Sequence, residues 1–171
     1  MKKLVSLLLS LALLAVPALA EADNDDARRA VFDAMEVYAW FVISPLDVDL
    51  NAPAQEGFYP VLDEVLGSAD AMQERLDAYF SQDIQQALWA WDAYRNWDGW
   101  LFGRAPEASP LARPIDPDIA DVSIALTGET DARREYTATV WLLSLDEPIQ
   151  LTFVSELTDG RWIFTQFPFF W

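Results

Sequence analysis

Beyond its first twenty residues the chain contains no histidine, no cysteine and no lysine. The imidazole, thiolate and amine groups behind most nucleophilic and general-base catalysis are therefore missing, which leaves carboxylates, hydroxyls, arginine and aromatic rings for any chemistry. The lack of cysteine excludes a disulfide framework and a lipid anchor, since the lipoprotein route attaches its acyl chains to a cysteine. Zinc loses both of its preferred ligand types, and the sequence implies no metal and no cofactor. Positive charge is also scarce. Two of the 11 basic residues are Lys2 and Lys3, so nine arginines face 28 acids beyond residue 20, a balance of −19. A field of that sign repels nucleic acid and anionic membrane surfaces, and it bears on solubility rather than on activity.

What is present first is an export signal. Lys2 and Lys3 precede a mostly apolar run from Leu4 to Val16, and Ala18-Leu19-Ala20 supplies the small-x-small pattern of a cleavage site. Thirteen residues fall short of the roughly 20 that a spanning helix requires. The expectation is a signal peptide over residues 1–20, a single domain over residues 21–171, a periplasmic or secreted location and no membrane anchor after cleavage.

The rest divides into a helical front and a strand-rich back. Between Ala27 and Ile43 the positions Val31, Ala34, Met35, Tyr38, Phe41 and Val42 follow the i, i+3, i+4 spacing of an amphipathic helix, which Pro45 ends. A loop follows from Leu46 to Gly57. Pro60 suits the first turn of a short helix to Leu66, with Gly67 as its stop. Ser68 can cap a helix through Phe80, and Ser81 another through Trp91 to about Arg95. Gly99, Gly103, Pro106, Pro110, Pro114 and Pro117 then punctuate a long Pro-rich loop over residues 99–121. Four strands are expected at Val122–Thr127, Glu135–Leu143, Ile149–Leu157 and Trp162–Phe167, with Asp159-Gly160 as a hairpin turn between the last two. The predicted fold class is α+β, with N-terminal helices packed on a C-terminal antiparallel four-stranded meander that buries Val31, Tyr38, Val140, Phe153 and Ile163 or their immediate neighbours on the opposite pleat.

Helices followed by a sheet whose last hairpin reads Glu156-Leu157-Thr158-Asp159-Gly160-Arg161-Trp162-Ile163-Phe164 resemble the nuclear-transport-factor-2-like fold. The order Tyr79-Phe80-Ser81, then Asp92-Ala93-Tyr94-Arg95-Asn96-Trp97-Asp98, then the strand block, is similar to a family of exported bacterial domains placed near that fold. Where members carry Gln-Asp before the central aromatic, this chain has Arg95-Asn96. The resemblance implies a cone-like sheet, as in cystatin-type and nuclear-transport-factor-2-like domains, wrapped around a helix with an open end. Such folds host isomerases, dehydratases and plain binding modules, so the likeness implies a pocket and leaves its purpose open.

Aromatic residues crowd one stretch: Trp89, Trp91, Tyr94, Trp97, Trp100 and Phe102. If the helix continued, Trp89, Trp97 and Trp100 would fall within about 80° of one another while Trp91 and Tyr94 pointed elsewhere. Flat rings beside Asp98, Arg95 and Asn96 suit a sugar, an aromatic metabolite or a partner's hot spot, and the competing reading is that the tryptophans fill the core. The candidate ligand-binding set is Trp91, Tyr94, Arg95, Trp97, Asp98 and Trp100, for an unknown small molecule, glycan or envelope protein. Asp47-Val48-Asp49-Leu50-Asn51 imitates the opening of a calcium loop, but Ala52 replaces the required glycine and Phe58 the bidentate glutamate. Asp116, Asp118 and Asp121 form a second acidic cluster, and both clusters read as solvated acids. Tyr38, Tyr94, Asp92 and Asp98 are the groups from which a carboxylate-dependent isomerase or dehydratase could be built. The expected function is a non-enzymatic envelope binding or accessory protein with an aromatic-lined pocket. An inhibitor- or immunity-type interaction module and the carboxylate enzyme are the alternatives.

Overall fold

The first amphipathic segment is helical over residues 28–42 (α1) in the computed structural model, which describes residues 25, 26, 28–105 and 119–168. The signal peptide expected at 1–20, Pro106, Pro110, Pro114 and Pro117 of the long loop, Asp116, Asp118 and the aromatic end 169–171 lie outside the described residues. Val31, Ala34, Tyr38, Phe41 and Val42 are buried, as their spacing requires, and Val37 joins them. The amides of Ile43 and Ser44 both bond the Ala39 carbonyl, and Pro45 prevents a further turn. Among the described residues no helix is long and apolar enough to cross a membrane.

The helix expected at Pro60–Leu66 does not form. Phe58–Pro60 is instead a short strand (β1), entered through a tight turn in which Gln55 and Phe58 exchange both backbone hydrogen bonds. Proline serves as well in an edge strand as at a helix start, and β1 stands at the edge of its sheet. Asp63 then bonds the amides of Val65 and Leu66 through one carboxylate oxygen, closing a turn rather than a helix. Gly67 stops nothing, yet only glycine fits there, because a Cβ would come within 2.7 Å of the Asp63 carbonyl oxygen.

Ser68 caps Ala69–Tyr79 (α2) by accepting from the Ala71 amide at 3.1 Å. The following helix is Gln82–Trp89 (α3), ending well before Arg95. Asp92 takes a left-handed φ of +56°, which turns the chain away from the helix axis. The buried Gln85 amide ties the two helices together, donating to the Phe80 carbonyl at 2.7 Å and the Asp77 carboxylate at 3.1 Å while accepting from Gln73 at 2.7 Å. The start of the supposed Pro-rich loop is a strand as well. Tyr94–Trp97 (β2) and Trp100–Arg104 (β3) pair through Asp98-Gly99, and with β1 they make a three-stranded sheet that the sequence reading did not anticipate.

The back half is the expected meander. Ile119–Glu129 (β4), Arg133–Leu142 (β5), Ile149–Thr158 (β6) and Arg161–Gln166 (β7) pair antiparallel in chain order, and Asp159-Gly160 turns the last hairpin with φ of +51° and +77°. Val31, Tyr38, Val140, Phe153 and Ile163 are all buried. Cross-strand partners Leu126, Tyr136 and Phe153 stand in one row, as do Ile124, Ala138 and Leu151, and both rows pack into the core shared with the three helices and with Tyr94 and Leu101 of the smaller sheet. Phe167 is the hub of that core, its ring 4.8 to 5.3 Å from those of Tyr38, Phe80, Phe153 and Phe164. Each such ring contributes about 2–3 kcal/mol by leaving water.

Candidate functional site

The smaller sheet owes its shape to two turns of one kind. Glu56-Gly57 has φ of +51° and +86°, and Asp98-Gly99 has +51° and +88°, the double positive φ of a two-residue hairpin turn. The register that follows opposes Arg95 to Phe102, Trp97 to Trp100, Phe58 to Arg104 and Pro60 to Phe102. Side chains directly opposite one another share a face, so Phe58, Arg95, Trp97, Trp100, Phe102 and Arg104 stand together on one side of the sheet. The other side carries Tyr94 and Leu101 into the core, with Gly103 between them where a Cβ would meet Val48 Cγ1 at 2.9 Å and the Tyr94 ring at 3.2 Å.

At the centre of the aromatic side lies Phe58, which is 1% exposed. The guanidinium carbons of Arg95 and Arg104 stand 4.8 and 4.5 Å from its ring centroid, and the Trp97 ring meets it edge-on at 5.7 Å. Trp97 also meets Phe102 edge-on at 5.1 Å. Both arginines are held from behind by Asp92. Its Oδ1 accepts from Arg95 Nε at 3.0 Å, its Oδ2 pairs with Arg104 Nη2, and its carbonyl accepts from Arg104 Nε at 2.9 Å. Arg95 reaches across to Glu56 as well, at 2.9 Å.

These contacts set the local electrostatics. The Arg95 hydrogen bond to Asp92, helped by Arg104, holds the carboxyl below the usual aspartate range against a smaller opposing effect of burial. Arg95 and Arg104 are balanced by Glu56 and Asp92, and the exposed Asp98 in the turn leaves the aromatic face without net positive charge. Tyr94 is a different case. Its buried hydroxyl donates to the Trp40 carbonyl at 2.9 Å and accepts from the Leu46 amide at 2.7 Å, and burial raises its pKa far above the ordinary tyrosine value.

The six residues singled out from the sequence therefore separate. Arg95, Trp97 and Trp100 come together on the outward face, Trp97 half-buried and Trp100 66% exposed. Asp98 is exposed in the hairpin turn, Trp91 is half-buried against the core, and Tyr94 is spent inside it. Trp89, once expected beside Trp97 and Trp100, packs edge-on against Phe41 at 5.3 Å because α3 stops there. Phe58, Phe102, Arg104, Glu56 and Asp92 complete the face and were not part of that set. The signal that could have found them is Asp98-Gly99, the same dipeptide that marks the last hairpin, here flanked by Trp97 and Trp100.

The face is open rather than enclosed. A shallow depression of about 480 Å³ adjoins it, lined by Ala69, Asp70, Gln73, Trp89, Tyr94, Arg95 and Asn96. A second, of about 530 Å³, lies between α1 and the loops at Ser44–Asp47 and Leu62–Asp63, where Glu36, Trp40, Asp47 and Asp63 meet. Asp49, from the calcium-like stretch, accepts the Asn51 amide at 3.0 Å and so caps its own turn. No protein-family model and no curated protein matches this chain.

Proposed function

We propose that this chain is an exported, non-enzymatic binding protein, and that the outward face of β1-β3-β2 receives a flat, neutral ring, with a neutral glycan the best-fitting class. The observation that carries the reading is the Trp97–Trp100 cross-strand pair, whose second member is 66% exposed beside the Phe58–arginine stack. An indole face left in water at the end of the small sheet favours the apolar side of a sugar ring, and the guanidinium groups that Asp92 holds beside it offer hydrogen-bond donors to hydroxyls. The lack of net positive charge on the face supports an uncharged ligand over an anion. The sequence pattern of residues 1–20 supports export.

The non-enzymatic reading draws on Asp92 and Tyr94, two of the groups from which a carboxylate-dependent enzyme could be built. Asp92 is held ionised by two arginines, the opposite of a carboxyl poised to exchange protons near neutral pH, and the Tyr94 hydroxyl is committed to backbone partners. Helices packed on a four-stranded meander support the nuclear-transport-factor-2-like assignment as part of the same proposal, with the aromatic face carried on an added small sheet.

Affinity electrophoresis through gels cast with neutral polysaccharides tests the function. The native chain should be retarded in at least one gel, and Trp100→Ala should run as in plain gel while keeping its melting temperature. Identical mobility of the two proteins across all gels would refute the glycan reading.

A further inference from the structure

The turn that enters the small sheet departs from those at Asp98-Gly99 and Asp159-Gly160. In a two-residue hairpin turn the first central residue takes a positive φ, which Asp and Asn tolerate because their short side chains bond locally, and which longer side chains disfavour. The other two turns place an aspartate there, whereas Glu56 is held at φ +51°. A residue kept against its backbone preference points to a use for its side chain. What Glu56 gains over an aspartate is reach. Its Oε2 accepts from Arg95 Nη1 at 2.9 Å, across 39 residues of sequence, while its side chain stays 70% exposed.

The pair so formed stands at the opposite end of the aromatic face from Trp100. Along β3 the outward residues are Trp100, Phe102 and Arg104, with Arg95 across from Phe102, Phe58 across from Arg104, and Glu56 just before Phe58 in the entering turn. At about 3.4 Å per residue the row from Trp100 to Arg104 is about 14 Å long, more than one sugar ring covers. Between its ends the half-buried rings of Trp97 and Phe102, edge-on at 5.1 Å, make an apolar floor. Resting on the glycan reading above, we infer that the face takes a linear chain of neutral sugars laid along β3, with one unit on the Trp100 indole and a later unit read by Glu56 together with Arg95.

The chemistry at the far end suits that role. A sugar hydroxyl both donates and accepts, so two adjacent hydroxyls match a guanidinium N–H and a carboxylate oxygen held side by side. Asp92 engages Arg95 at Nε and Glu56 engages it at Nη1, which leaves Arg95 Nη2 and Glu56 Oε1 without a hydrogen bond among the described residues. A chain bearing carboxylate or sulfate groups meets Glu56, Asp92 and Asp98 and is repelled, so the same carboxylates select for neutral sugars. One molecule that engages both ends makes its second contact intramolecularly, and affinity then depends on chain length. A site for a single ring has no such dependence.

Nuclear magnetic resonance titration with mono-, di-, tri- and tetrasaccharides of the cello-, manno-, xylo- and malto-series tests this, since each tryptophan indole and each arginine Nε–H has its own signal. In the series that binds, every length should shift the Trp100 indole, and only the longer ones should also shift Arg95 Nε–H. Affinity should rise by about tenfold or more from mono- to tetrasaccharide, as hydrogen bonds to charged groups warrant. Glu56→Asn fits the turn better than the native residue and should hold or raise the melting temperature. It should bind the monosaccharide as the native protein does and lose the rise with length. Equal affinity at every length, or a rise that survives in Glu56→Asn, overturns the inference and leaves a single-ring glycan site standing. No shift of the Trp100 indole with any saccharide overturns the glycan reading as well.

Discussion

Tyr94 donates its hydroxyl hydrogen to the carbonyl of Trp40, 54 residues earlier, at 2.9 Å. The same oxygen accepts the Leu46 amide, so one side chain satisfies a carbonyl of the last turn of α1 and an amide of the loop that follows it. Tyr94→Phe keeps the ring packing but strands a donor and an acceptor, and should cost about 1–3 kcal/mol in urea unfolding. Burial keeps the hydroxyl protonated in the folded chain beyond the ordinary tyrosine range. With its pKa raised, the stabilisation is whole below about pH 10 and is lost as pH climbs from there toward the folded value. The alkaline fall in stability should therefore be shallower in Tyr94→Phe than in the native protein.

Asp92 works in the opposite direction. Its folded pKa is depressed, so its contribution is present above the ordinary aspartate value and fades as pH falls from about 4 through the folded pKa. Asp92→Asn keeps a residue suited to positive φ while removing the charge that braces both arginines. The carboxylate is 40% exposed, and solvent screening limits the loss to about 1 kcal/mol or less, measured as a melting shift that vanishes in acid. Asp92→Ala should lose more, because alanine resists that backbone conformation.

Gly103 has no room for a methyl group. Gly103→Ala would press Val48 and the Tyr94 ring at once, forcing β3 away from the core. A loss of about 1–3 kcal/mol is expected, with near-ultraviolet dichroism reporting the displaced tryptophans. Unchanged stability would mean that the small sheet is not seated as described.

Phe58 and Trp100 share a face but not a role. Phe58→Ala removes a fully buried ring and the surface on which two guanidinium groups lie, and should cost about 3–5 kcal/mol. Trp100→Ala should change stability by no more than about 0.5 kcal/mol, since most of its surface is already in water. The reverse ranking in thermal denaturation would make Trp100 structural and remove the main support for the ligand face.

The meander was legible because period-two alternation, β-branched residues and Asp159-Gly160 all point the same way. Ser68 before Ala69 marked α2 for an equally local reason. Failure came where two local readings compete. Pro60 fits a first helical turn and an edge strand alike, and pairing with Phe102 decides between them. Trp89 and Trp91 tolerate either helix or strand, and a helix read on to about Arg95 overruns the strand that the Asp98-Gly99 hairpin signal implies. The arginine stack could not be read at all. It depends on the left-handed turn at Asp92 and on bringing Phe58 opposite Arg104, relations that no spacing encodes.

That separation has a temporal consequence. Each strand of the large sheet pairs with the next along the chain, and a short turn closes each hairpin, whereas Phe58 must find Arg104 across the whole of α2, α3 and β2. Closing so long a loop costs entropy before any contact returns it, which makes β1 a late arrival in folding and an early departure in local opening. Amide hydrogens at its edge should exchange while those of Tyr136 and Phe153 are still protected. The arginine stack on Phe58 is then assembled last, on a platform whose other half is already in place.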